Sequence, residues 1–163
     1  RVRSGGILEV IVTEREPVAI WRTDDGLTLV DDTGHRVASL LARSDRPDLP
    51  LIAGLGADAA TPEALEVLAA AGPLIPRLRG LVRGGNRRWD LVLDRGQTIL
   101  LPDVGPVRAL ERLIALDQAE DILNRDLLAV DLRVSQRPTL RLSADALTEL
   151  RRAQGLPVLE TNL

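Results

Sequence analysis

The stretch Leu127-Leu-Ala-Val-Asp-Leu-Arg-Val-Ser-Gln-Arg-Pro-Thr-Leu-Arg-Leu-Ser143 spells two short strands around a tight turn. Leu128, Val130, Leu132 and Val134 alternate with Ala129, Asp131, Arg133 and Ser135, the period of two expected of a half-buried strand. Beyond the turn at residues 135–137, Leu140 and Leu142 alternate with Thr139, Arg141 and Ser143. No later segment has strand character, so the second arm has no successor in sequence to pair with. Pro138 opens that arm, and a residue without a backbone N–H is confined to edge strands, strand starts or bulges. Residues 138–142 are therefore expected at a sheet edge, where unpaired backbone groups are open to another chain. An ordinary edge protected by Arg137 and Arg141 fits the same residues, and the stretch by itself leaves both readings open.

The 163 residues suit one medium domain, or one domain with a fragment of another. Leu, Val, Ile and Ala supply nearly all the apolar content, with two Trp and no Phe, Tyr, Met or Cys. All 21 basic residues are Arg, which pairs with carboxylates bidentately better than Lys does. A net charge of −3 argues against a general nucleic-acid binder. Without cysteine there is no disulfide framework and no thiolate metal site, which leaves the redox compartment open. No apolar run approaches the roughly 20 residues that span a bilayer, and no signal peptide is recognisable. The first residue is not Met, so the expectation is a fragment from which a targeting or anchoring segment has been separated.

Along the chain, residues 7–14 and 18–21 read as extended, and turns at residues 24–26 and 31–34 set up a small hairpin. Residues 39–50 read as irregular and residues 51–54 as a short strand. Thr61, Pro62 and Glu63 form a helix start, with Thr61 as the capping residue, and Gly72-Pro73 ends that helix. A second short helix is predicted over residues 74–79. Residues 87–94 form a strand with Trp89, Leu91 and Leu93 inward, and residues 97–101 return from it. An amphipathic helix follows at residues 106–116, then a shorter one through Ile122 and Leu123, the hairpin, and a last helix at residues 144–153 capped by Ser143. The pattern is that of an α+β domain: a mostly antiparallel sheet with helices on one face, and a C-terminal edge strand followed by a short helix.

Residues suited to chemistry are scattered. His35, the one histidine, sits beside Asp31 and Asp32, but turns favour Asp for backbone reasons and the set falls short of a metal site. No Ser stands on a nucleophile elbow, the paired carboxylates lie on turns or a helix surface, and the glycines lack the spacing of a phosphate cradle. No cofactor is expected. Arg87 and Arg88, just before Trp89, are either solvated or a receptor for carboxylates.

Several segments in order resemble the FtsQ/DivIB family of bacterial divisome proteins: Val12-Thr-Glu-Arg-Glu-Pro17-Val-Ala-Ile-Trp21, Leu29-Val-Asp-Asp-Thr-Gly34, Leu49-Pro-Leu-Ile-Ala-Gly54, Arg87-Arg-Trp89-Asp-Leu, Ile99-Leu-Leu-Pro102 and Val130-Asp-Leu-Arg133. Each motif alone is weak; their order from residue 7 to residue 142 is specific, and the all-Arg texture is closest to alphaproteobacterial members. The resemblance implies a non-enzymatic, single-pass inner-membrane protein whose periplasmic part is a POTRA domain followed by a β domain. Residues 1–21 would then be the end of POTRA and the junction, 22–143 the β domain, and 144–163 a C-terminal helix and tail.

The family's partners are FtsB and FtsL, and FtsB adds a strand to the last strand of the β domain. That correspondence gives Arg133 an acidic partner residue and makes Arg87 or Arg88 a second arginine contact. Val134 stands where Tyr is frequent, Gln136-Arg137 where a Ser-Gly turn is, and Leu142 where some members carry Trp. Pro138, Thr139, Leu140 and Arg141 complete the implied contact strand. Two other functions are compatible with such a domain: a POTRA-associated transport or assembly module, and a cell-wall hydrolase, which would need a cleft of converging ionisable groups.

Overall fold

Alternation in Arg88-Trp-Asp-Leu-Val-Leu93 is realised directly: Trp89, Leu91 and Leu93 are buried, while Arg88, Asp90 and Val92 take the other face. The structure, a computed structural model, describes residues 2–3, 7–8, 14–134 and 137–157. Strands β1 (Val2–Arg3) and β2 (Ile7–Leu8) make a two-stranded antiparallel sheet. The remaining strands are β3 (Ala19–Thr23), β4 (Gly26–Val30), β5 (Arg36–Leu40), β6 (Leu51–Ala53), β7 (Leu78–Gly84), β8 (Arg88–Leu93), β9 (Thr98–Leu100), β10 (Leu127–Asp131) and β11 (Thr139–Leu142). Among the described residues three α-helices accompany them: α1 (Thr61–Ala70), α2 (Pro106–Glu120) and α3 (Ala144–Ala153).

Strands β3 to β11 form one sheet in the order β11-β10-β9-β8-β7-β6-β3-β4-β5. Five of its neighbouring pairs are antiparallel; β3–β6, β6–β7 and β9–β10 are parallel. Parallel neighbours need crossover connections, and α1 and α2 supply two of them. Register carries one continuous apolar row across the sheet: Trp21, Ile52, Leu81, Leu91, Ile99 and Val130, all buried. Val67 and Leu68 of α1 and Leu110, Leu113 and Ile114 of α2 join that core, and the two helices touch each other. α3 is different, for none of its residues is buried.

Several local expectations need correction. The predicted helix over residues 74–79 is a 3-10 turn, Gly72–Arg77, that runs straight into central strand β7, so Leu78 belongs to the sheet. Leu81 is the only residue of Leu78-Arg-Gly-Leu-Val-Arg-Gly84 that is a large, fully buried side chain, which hid its strand period. Residues 39–40 are paired in β5 and are not irregular. Ile122 and Leu123 lie in a connection without helix, although both are buried. Thr61 does not cap: its hydroxyl donates back to the Asp58 carbonyl at 2.7 Å, and helix α1 begins at Thr61 itself. Ser143 does cap α3, accepting from the Ala146 N–H at 3.1 Å.

The connection before β10 is secured by a buried polar knot. Gln97 is 4% exposed; its Nε2 donates to the Leu123 and Arg125 carbonyls at 3.2 Å each, and its Oε1 accepts from Arg77 at 2.7 Å. Arg95 and Arg77 also donate to the Leu123 carbonyl. Gln97→Leu strips the Arg125 carbonyl of this donor inside the protein, so the expected loss is about 2 kcal/mol. Urea unfolding checks this; an unchanged midpoint would mean that the knot carries no net stability.

Each tryptophan is flanked by an arginine. Arg36 lies 4.6 Å from the Trp21 ring centroid and Arg83 lies 5.1 Å from that of Trp89, within cation–π range. Nearby, Asp31 braces the β4–β5 turn, accepting from the Thr33 and His35 backbone N–H groups, the Thr33 hydroxyl and Arg15. The Thr33 hydroxyl bond, followed by the Arg15 contact, holds its carboxyl well below the usual range against the opposing effect of burial.

Candidate protein interface

The β10–β11 hairpin ends the sheet: among the described residues β11 pairs with β10 alone and stands at one end of the nine-strand order. β5 is the opposite end. Register decides which backbone groups of β11 are free. The Leu132 N–H donates to the Leu100 carbonyl at 2.9 Å, so in the parallel β9–β10 pair Val130 and Leu132 direct their backbone groups toward β9. Ala129 and Asp131 therefore bond toward β11, engaging Arg141 and Thr139. Leu140 and Leu142 lie between and beyond those pairs, and their N–H and C=O groups point away from the sheet. Pro138 falls at the next outward position, where its missing N–H breaks no ladder bond.

Side chains along this edge are mostly solvent-facing. Thr139 and Arg141 are exposed, Leu140 is 40% exposed, and Leu142 packs partly against the core. Arg137 and Pro138 are exposed, while Gln136 lies outside the described residues. Alternation predicts Leu128 and Val134 on the buried face with Val130 and Leu132, and here the structure differs. A register irregularity between Leu127 and Ala129 buries Leu127 and leaves Leu128 51% exposed; Val134, beyond the strand, is 64% exposed. Val134 and Pro138 instead join Leu113, Leu116 and Leu132 in a small apolar groove between α2 and the hairpin.

On the sheet face opposite α1 and α2 the same register assembles charge. Asp131 lies across from Leu100, Leu100 across from Asp90, and Arg88 is two residues before Asp90 on the same face. Arg133 folds back on Asp131, with Nε 2.9 Å from Oδ1 and 3.0 Å from Oδ2. Two arginines and two aspartates thus sit beside the outer hairpin. The Arg133 hydrogen bond lowers the Asp131 pKa against the opposing effect of burial, whereas burial raises that of Asp90 against the attraction of Arg88 and Arg133. Arg88 Nε and Asp90 Oδ1 are buried without a hydrogen-bond partner among the described residues.

Of the two predicted arginines ahead of Trp89, the fold brings Arg88 to this cluster and leaves Arg87 exposed in the turn. In that turn Gly85 and Asn86 both have positive φ, 59° and 57°. Nothing in the sequence alone sets Asp90 and Asp131 apart from other strand carboxylates. The period-two spacing from Arg88 to Asp90 and the Asp-x-Arg step are visible there, but only strand order puts the two pairs together.

Residues 19–133 match the family described as cell division protein FtsQ/DivIB, C-terminal. The chain is 62% identical over 156 residues to cell division protein FtsQ of Cereibacter sphaeroides, covering 96% of this chain and 51% of that protein. It is 55% identical over 159 residues to the FtsQ of Paracoccus denitrificans, covering 98% and 47%, and 33% identical over 142 residues to that of Rhizobium meliloti, covering 86% and 45%. The chain thus spans about half the length of the curated relatives it matches. Among the described residues no helix is long and apolar enough to cross a membrane.

Proposed function

We propose, because the chain belongs to the FtsQ/DivIB family of cell division proteins, that it is the docking part of a divisome scaffold and that β11 receives a strand of FtsB. In this reading the whole protein is anchored in the inner membrane, the present chain works in the periplasm, and FtsL joins the same complex. Residues 22–143 act as the β domain and residues 1–21 as the end of a POTRA domain. The scaffold makes no bonds of its own; it links earlier and later division proteins on which septal peptidoglycan synthesis depends.

The observation that carries this reading is the outward-facing backbone of Leu140 and Leu142 on a terminal strand, flanked by arginines on the face opposite α1 and α2. Backbone pairing supplies affinity that is tolerant of side chains, and charged groups set register and partner choice. Arg133 and Arg88 are the proposed contacts for acidic residues, and Arg141 and Thr139 project toward the same face. Arg87 and Arg137 flank the site, and Gln136, outside the described residues, is a further proposed contact. Val134, Pro138 and the groove beside α2 offer an apolar seat in place of an aromatic anchor.

Leu140→Pro tests the mode of docking. Its N–H points outward, so proline removes a donor to an added strand without removing a ladder bond to β10. Binding of the periplasmic segment of FtsB, measured by calorimetry, should weaken roughly tenfold or more, while far-UV circular dichroism stays unchanged. Unaltered affinity would rule out strand addition at β11.

A further inference from the structure

Asp131 and Arg133 are held by more than an ion pair. Asp131 Oδ1 accepts from the Arg133 backbone N–H at 3.0 Å and from its Nε at 2.9 Å, and Oδ2 accepts from Nε and Nη2. The backbone bond closes an Asx turn, so the carboxylate is braced by the same stretch of chain whose side chain it grips. A guanidinium presents two edges to carboxylates, one formed by Nε and Nη2 and one by Nη1 and Nη2. Asp131 occupies the first. On the second, Nη1 makes no hydrogen bond among the described residues and Nη2 bonds Asp131 alone, and the Arg133 side chain is 43% exposed.

Asp131 also lies directly across from Thr139, the first residue of the edge strand. A strand added outside β11 runs two strand spacings, about 9.6 Å, from β10, a gap that the Arg133 side chain and an acidic side chain of the added strand span together. The surrounding quartet of Arg88, Asp90, Asp131 and Arg133 has no net charge, so it attracts a carboxylate by the direction of its donors and not by excess positive charge. Direction is what a loosely held arginine lacks.

We propose that Asp131 is a positioning residue: it holds the Nε–Nη2 edge of Arg133 so that the Nη1–Nη2 edge is presented to a carboxylate on the incoming strand. The inference rests on docking at β11. Asp131 does not compete with the partner, because it leaves three of the five guanidinium donors free, and an end-on bidentate pair needs two. It also removes, before binding, the rotamer freedom that Arg133 would otherwise lose in the complex.

The test is a mutant cycle on this protein, with the periplasmic segment of FtsB as probe and nitrogen-15 side-chain NMR of Arg133 alongside. Asp131→Ala should lower affinity roughly tenfold when Arg133 is present and less than about twofold in the Arg133→Gln background. Asp131→Asn, which keeps one acceptor, should fall between wild type and alanine. In the free protein the Arg133 Nε–H resonance should be sharp and slow to exchange, and should lose that protection in Asp131→Ala. Higher affinity of Asp131→Ala, an equal loss in both backgrounds, or an unchanged Nε–H signal overturns the inference while leaving docking at β11 intact. Failure of the wild-type protein to bind the segment overturns both.

Discussion

Trp89→Ala is expected to remove about 3–5 kcal/mol of stability, a large share of the roughly 5–15 kcal/mol typical of a domain. The residue is 1% exposed in the middle of β8, and its ring lies against the Arg83 guanidinium on one side of the core. The apolar inventory makes the loss hard to absorb. The chain has no Phe, Tyr or Met, so no flexible or aromatic neighbour can swing into the space, and branched aliphatic side chains on a sheet repack poorly. Denaturant unfolding followed by far-UV circular dichroism would measure the change. A midpoint within error of wild type would contradict the packing of β8 described above. Affinity for a partner should change only through the fraction folded, since Trp89 faces away from Arg88 and Asp90.

Arg133→Glu is expected to weaken capture of the FtsB segment roughly hundredfold, equivalent to about 2.8 kcal/mol, with the fold retained. The substitution removes the proposed donor edge and places a carboxylate beside Asp131, so the acidic group that the site is meant to receive meets two negative charges. The cost to the free protein is small because the Arg133 side chain is 43% exposed and its ion pair with Asp131 lies at the surface. Raising salt should lower wild-type affinity and narrow the gap between the two proteins, as expected when charges on a rim steer association. Equal binding by wild type and Arg133→Glu at low salt would exclude Arg133 from the interface, even if strand addition at β11 stands.

The parts of this fold that were legible in the sequence are those with a strict period. Arg88–Leu93 and α2 show theirs in consecutive residues, and Pro138 with the absence of later strands announced the edge. β7 was not legible because its two glycines and its arginines dilute the apolar alternation, and because it gains its order from β6 and β8 on either side. The parallel pairs were equally hidden: nothing in residues 51–53 or 98–100 says that their partners lie across a helix. At the interface, Arg88, Arg133 and the edge strand were visible from motif and pattern. Asp90 and Asp131 were not, since a carboxylate two residues from an arginine is ordinary on a strand. Their juxtaposition depends on Leu100 lying between them. The irregularity at Leu127–Ala129, which exchanges Leu128 for Leu127 in the core, has no sequence marker.

The two arginine-flanked indoles have a practical consequence. Trp21 sits on β3 and Trp89 on β8, separated by β6 and β7, and the chain has no other aromatic fluorophore. Intrinsic emission therefore comes from two separated stations along the sheet, and a single Trp→Phe replacement at either one leaves a spectroscopically clean reporter at the other. If the sheet opens as a single cooperative body, both reporters will shift at the same denaturant concentration. If the β3 side loosens before the β8 side, the two titration curves will part, with no dye or label introduced.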